Sequence, residues 1–120
     1  MARNGAGTKE PMTGEDATAR VEALRLDAAD DVATALGPLA AGHAPAIGLP
    51  DGGKMTGPPL AQDIPRGHKF ALRAIAEGET VRKYGTGIGI ATREIAKGDH
   101  VHLHNLEGLA GRDERRAGKA

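Results

Sequence analysis

The 120-residue chain contains no cysteine, no tryptophan and no serine. Without cysteine there is no disulfide, no thiolate nucleophile and no cysteine-ligated zinc. Without serine there is no serine nucleophile, and no threonine is paired with a base by any spacing rule. Tyr84 and Phe70 are the sole aromatic residues, so stacking on nucleic-acid bases has almost no material. An excess of charge of either sign is also missing. Sixteen Lys and Arg balance sixteen Asp and Glu, with five histidines besides. Such a chain offers no global field to nucleic acid or to an acidic membrane, and neither is expected as a partner. No apolar run approaches the ~18 residues of a membrane-spanning helix. The opening residues, MARNGAGTKE, lack the apolar core of a secretory leader, so a cytoplasmic protein is expected.

What is abundant is turn chemistry, with eighteen glycines and seven prolines. Residues 1–21 are polar and without apolar periodicity, and read as a flexible tail. Residues 108–120 read the same way, which leaves 22–107 as the domain. Within it one pattern recurs: an apolar residue, a small residue or proline, any residue, then glycine. The copies are Leu39-Ala-Ala-Gly42, Ile64-Pro-Arg-Gly67, Ile75-Ala-Glu-Gly78 and Ile95-Ala-Lys-Gly98. Glycine in the fourth place suits the positive φ of a tight turn. Strand-like runs follow at His68–Ile75, Thr80–Tyr84 and His100–Asn105, with a further run at Ile88–Ile95. Residues 28–36, rich in alanine, allow a short helix, with a strand over Asp31–Leu36 flanked by turns as the competing reading. Residues 42–60, broken by four prolines and Asp51-Gly-Gly53, read as loop with one short strand near Ala46–Leu49. Short strands punctuated by glycine turns predict a compact all-β module.

The sharpest chemical feature is His100-Val-His-Leu-His-Asn105. On a strand, His100, His102 and His104 share one face while Val101 and Leu103 share the other. Imidazoles are common ligands of divalent metals. Neighbours two apart lie roughly 6.6 Å apart along a strand, and the outer pair about 13 Å. At most two of the three can therefore meet on one ion, and a plain polar strand face stays open as the other reading. Gly67-His68-Lys69 starts a strand after a turn, where a side chain enters a site on rigid support. There His68 suits a general base or a ligand, and Lys69 a point charge for a carboxylate. The Tyr84 hydroxyl can donate to a ligand oxygen. Gly85-Thr-Gly-Ile-Gly89 lacks the spacing of a phosphate loop and reads as a tight hairpin. Glu77 and Glu79 read as solvated turn residues, and Arg112-Asp-Glu-Arg-Arg116 as a solvated run of mixed charge.

Taken in order, Asp63-Ile-Pro-Arg-Gly-His-Lys-Phe-Ala-Leu-Arg-Ala-Ile-Ala-Glu-Gly78, Val81-Arg-Lys-Tyr-Gly85, Ile88-Gly89 and Gly98-Asp-His-Val-His-Leu-His-Asn105 resemble the SAF domain of the altronate dehydratase family. Asp31–Leu36 with Leu39–Gly42 resembles that domain's first strand and turn. The resemblance implies a small all-β module of the β-clip type. It also implies chemistry: dehydration of a sugar acid such as altronate to a 2-keto-3-deoxy acid, with divalent iron or manganese. A related branch, sulfolactate sulfo-lyase, expels sulfite and leaves pyruvate. Galactarate dehydratases share the Gly-His-Lys and Tyr-Gly pieces but not the histidine-rich ending. By this resemblance the candidate catalytic residues are His68, Lys69 and Tyr84. The substrate-binding candidates are Lys69, Lys83 and Asn105, and the metal-ligand candidates are His100, His102 and His104. The expected partner is a separate large catalytic subunit, since many relatives carry a much larger domain after this module. A sulfo-lyase small subunit and a non-catalytic sugar- or partner-binding module are the alternatives.

Overall fold

The computed structural model describes residues 20–109, and every element among them is a strand. In chain order they are β1 (Ala23–Leu24), β2 (Val32–Ala35), β3 (Ala46–Gly48), β4 (Lys54–Thr56) and β5 (Lys69–Ala71). β6 (Thr80–Lys83), β7 (Thr86–Ala91), β8 (His100–Val101) and β9 (Leu106–Gly108) follow. Six of them form one open sheet in the order β4-β3-β1-β2-β5-β8, and three form a second in the order β9-β7-β6. The pairings are antiparallel except β1 with β3. The all-β expectation holds, and Asp31–Leu36 resolves as strand rather than helix.

The recurring motif is the organising device. In each copy the N–H after the glycine donates to the carbonyl three residues back. These bonds are His43 to Ala40 (3.1 Å), His68 to Pro65 (3.0 Å), Glu79 to Ala76 (3.0 Å) and Asp99 to Ala96 (3.0 Å). The glycines have φ of +87°, +82°, +88° and +89°, the value a type II turn needs at that place. The apolar residue that opens each copy is buried, and the copies join in pairs, Leu39 with Ile64 and Ile75 with Ile95. Each pair sits in its own core. Leu39 and Ile64 pack with Ala33, Ile47, Leu60 and Phe70. Ile75 and Ile95 pack with Val32, Ala71, Val81, Ala91 and Val101. Alternation along β2 and β5 sends successive side chains to the two cores, so these central strands tie the cores together.

Several strands differ from the sequence reading. Residues 42–60 hold two strands, because Leu49 N–H donates to the Gly53 carbonyl and closes a β3–β4 hairpin around the Asp-Gly-Gly turn. The run His100–Asn105 is strand for two residues only. Asn105 N–H then donates to the His102 carbonyl (3.0 Å) and makes 102–105 a turn. Glu79 is exposed yet engaged: it accepts from Ala76 N–H (2.7 Å) and pairs with Arg73 (3.3 Å). The flexible tails expected at 1–21 and 108–120 fall outside the described residues for 1–19 and 110–120. At the inner ends the fold reaches one residue further each way. Val21 packs within reach of Gly48, and Gly108 pairs with Gly89 in β9.

Candidate functional site

The antiparallel pairing of β5 with β8 builds the site. It sets Phe70 opposite His100 and Lys69 opposite Val101. His68, between a glycine turn and β5, then meets residues 32 positions later: its Nδ1 and the His100 Nε2 share a hydrogen bond of 2.9 Å. His102 joins them because the chain turns instead of continuing as strand. The His68 and His102 rings stack with centroids 4.3 Å apart, and the His100 and His102 rings are 5.6 Å apart. One ring nitrogen from each of His68, His100 and His102 lies within 4.8 Å of the others, a group that could hold a metal ion.

His104 is not in that group. Its ring lies 5.3 Å from His100, tilted by 36°. The turn brings the outer pair far closer than a strand would, yet the third nitrogen of the group comes from His68.

Asn105 holds this arrangement. It is 4% exposed; its Oδ1 accepts from His102 N–H (2.9 Å), and its Nδ2 donates to the His100 carbonyl (2.9 Å). With both ends of the amide engaged on backbone, the structure places Asn105 under the site rather than among groups open to a substrate. Gln62, which the sequence did not single out, caps the same edge by accepting His100 N–H at 2.9 Å. The outward N–H and C=O of His100 are therefore both satisfied, and this edge is closed to a further strand.

The electrostatics favour lone-pair donors. Burial first, then the charges of His68, His104, His102 and Lys69, hold His100 below its ordinary value of 6.5. His102 is lowered too, by burial and then by His68, Lys69 and His104. Lys69 lies below its ordinary 10.5 through burial and through Lys83. Among the described residues neither Lys69 nor Lys83 has a carboxylate partner. In a chain of zero net charge, Lys69 and Lys83 thus stand here without a salt bridge.

Lys83 and Tyr84 arrive on the tip of the β6–β7 hairpin. The Lys83 ammonium sits 4.8 Å from the Tyr84 ring centroid, within cation–π range. Tyr84 is 64% exposed and has a φ of +59°, followed by Gly85 at +74°. Two positive φ values make the tight hairpin turn usually built from Asn-Gly. The hairpin expected at Gly85–Gly89 is present, but its turn is Tyr84–Gly85 and the later glycines lie in β7. A bulky residue held left-handed costs about 1–3 kcal/mol and persists only where its surroundings impose it.

A small all-β module with a histidine triad beside lysines that lack a carboxylate partner is the class that fold and site define. The altronate/galactarate dehydratase SAF domain matches residues 21–109, and the chain belongs to that family. It is 48% identical over 82 residues to altronate dehydratase of Escherichia coli (strain K12), which is 68% of this chain and 15% of that protein. Against the (2R)-sulfolactate sulfo-lyase subunit alpha of Chromohalobacter salexigens, identity is 52% over 44 residues, 37% of this chain and 47% of the relative. The subunit of the same name from Paracoccus pantotrophus is 51% identical over 45 residues, 38% of this chain and 67% of the relative. The match thus takes in a minor part of the dehydratase and about half to two thirds of the sulfo-lyase subunits. The subunit name itself implies an enzyme of more than one chain. No helix among the described residues is long and apolar enough to cross a membrane.

Proposed function

We propose that the chain is the SAF component of a carbon–oxygen lyase that dehydrates a sugar acid such as altronate to a 2-keto-3-deoxy acid, acting with a large catalytic component. The observation that carries this reading is the convergence of His68, His100 and His102 within 4.8 Å, beside lysines that have no carboxylate partner.

The donor set suits a divalent first-row ion. Imidazole ligates iron readily, and the lowered His100 and His102 favour the neutral rings that ligation requires. Divalent iron or manganese is the ion this reading assigns to His68, His100 and His102. When bound, the ion supplies Lewis acidity that eases loss of the weakly acidic proton beside a carboxylate.

The chain's own residues do the rest. Lys69 and Lys83 hold the substrate carboxylate as point charges. The Tyr84 hydroxyl donates to a substrate oxygen. The general base comes from the large component, because His68 is engaged in the triad. Two flanking residues are open to solvent, Tyr84 at 64% and Leu103 at 84% exposed. Water is excluded from such a site only when another surface covers it.

A second reading has its own support. A sulfolactate carries two anionic groups, and Lys69 and Lys83 offer two unpaired cations. The test combines the chain with the large component and Fe²⁺, and assays keto acid from altronate and from (2R)-sulfolactate. Keto acid from altronate, only when all parts are present, supports the dehydratase. Sulfite and pyruvate from sulfolactate support the second reading instead. Binding without turnover of either overturns both and leaves an accessory binding module.

A further inference from the structure

The Lys83-Tyr84-Gly85 turn is held from beneath by an aspartate that no step above uses. Asp30 is 2% exposed. One of its oxygens accepts from Tyr84 N–H at 3.0 Å and the other from Gly85 N–H at 2.8 Å. We propose that Asp30 is a positioning residue for the anion-binding face, fixing the turn so that Lys83 and Tyr84 stand together beside Lys69. The proposal deepens the reading above and rests on it in one respect, that an anionic group of the substrate lies against these lysines.

The hydrogen bonds argue for placement. Tyr84 is exposed, so packing does not impose its left-handed backbone. The carboxylate does, by binding both central N–H groups of the turn with charge-assisted bonds. Asp30 is itself held on two further sides. Its N–H donates to the Asp27 carbonyl (3.0 Å), and its carbonyl accepts from Arg25 Nε (3.2 Å) and Nη2 (3.0 Å). Asp31 repeats the grip one step along. Its N–H donates to the Arg82 carbonyl (3.0 Å) and its Oδ2 accepts from Arg82 N–H (2.9 Å). Gly85 has a φ of +74°, where any Cβ is strained, and a Cβ there would also stand 2.8 Å from an oxygen at the end of the Asp27 side chain. The two aspartates thus clamp residues 82, 84 and 85 to the chain leading into β2, whose neighbour β5 carries Lys69.

The test uses the full chain with inorganic sulfate as the anion probe, followed by NMR at the Tyr84 and Gly85 amides, and with Mn²⁺ as a separate probe of the histidines. In Asp30→Asn the side chain accepts with one oxygen only, and its amide NH₂ confronts the other N–H. Sulfate affinity is expected to fall about tenfold, while Mn²⁺ affinity stays within about twofold. Lys83→Met is expected to give a similar loss, and the double variant little more than either, as for residues acting through one another. Should Asp30→Asn fail to fold, Gly85→Ala displaces the same turn with Asp30 intact and is expected to lose sulfate likewise.

Additive losses, unchanged sulfate affinity in Asp30→Asn or Gly85→Ala, equal loss of sulfate and Mn²⁺, or no sulfate binding by the wild type overturns the proposal. An assembled lyase without turnover would sink the functional reading and leave these binding results standing.

Discussion

One asparagine side chain sets where two of the three convergent histidines stand. Asn105 bridges the His100 carbonyl and the His102 N–H, both within the fold's edge. Asn105→Ala strands these two backbone groups with no protein partner. Each such loss costs about 1–3 kcal/mol where water cannot reach, so a drop in stability of about 2 kcal/mol or more is expected in urea unfolding. A drop under about 0.5 kcal/mol would show that water replaces the amide. The histidine-rich ending is plain in the sequence, but its geometry is not. Valine and leucine between the histidines imitate strand alternation, while the turn depends on an amide bonding back along the chain. His68 belongs with His100 and His102 only through the β5–β8 pairing, which links positions far apart in sequence. Spacing rules along one segment cannot reach it. Asp30 was hidden for the same reason, since its partners lie 54 and 55 residues away.

At the scale of elements, the four glycine turns look alike in sequence but differ in what surrounds them. A Cβ on Gly42 would meet nothing within 4 Å, so Gly42→Ala carries only the strain of its φ of +87°. That strain is about 1–2 kcal/mol. A Cβ on Gly98 would stand 2.5 Å from the Pro59 carbonyl oxygen, a backbone atom that cannot step aside. Gly98→Ala is therefore expected to cost about 3 kcal/mol or more, and thermal unfolding of the two variants checks the order. These turns were legible because glycine at a fixed offset is local chemistry. β4 was not, because its three residues lie between an Asp-Gly-Gly turn and two prolines, and it exists through pairing with β3. Two carboxylates, Glu22 on the Ala46 N–H and Glu79 within the β5–β6 connection, are expected to make the fold acid-sensitive. Glu79 lies below its ordinary 4.5 chiefly through the Ala76 N–H, then through Arg73. Glu22 is lowered chiefly by the Ala46 N–H, then by His43, against the opposing effect of burial. As pH falls from about 4.5 the unfolded chain takes up these protons first. The stabilisation is thus present above that pH and is lost as pH falls through the depressed folded values. Urea midpoints are expected to decline between about pH 5 and pH 3, less steeply in a Glu22→Gln, Glu79→Gln double variant. An equal slope in that variant would place the acid sensitivity elsewhere.

The described residues form two open sheets with a core on each side of β2 and β5, and His68, His100, His102 and His104 gather with Lys69 and Lys83 in a chain with no net charge. That arrangement suits the proposed component, whose site a larger surface would complete. The central claim is that this face holds a metal through His68, His100 and His102. Titration of Mn²⁺ into the wild-type chain, His68→Ala and His104→Ala, followed by electron paramagnetic resonance of the free ion, tests it most directly. Removing a residue behind a ligand commonly costs 10- to 100-fold in metal affinity, so removing a ligand is expected to cost on the order of 100-fold or more. The account predicts a bound ion in the wild type, its near loss in His68→Ala and its retention in His104→Ala. Equal loss in the two variants, or no ion held by the wild type, would contradict it.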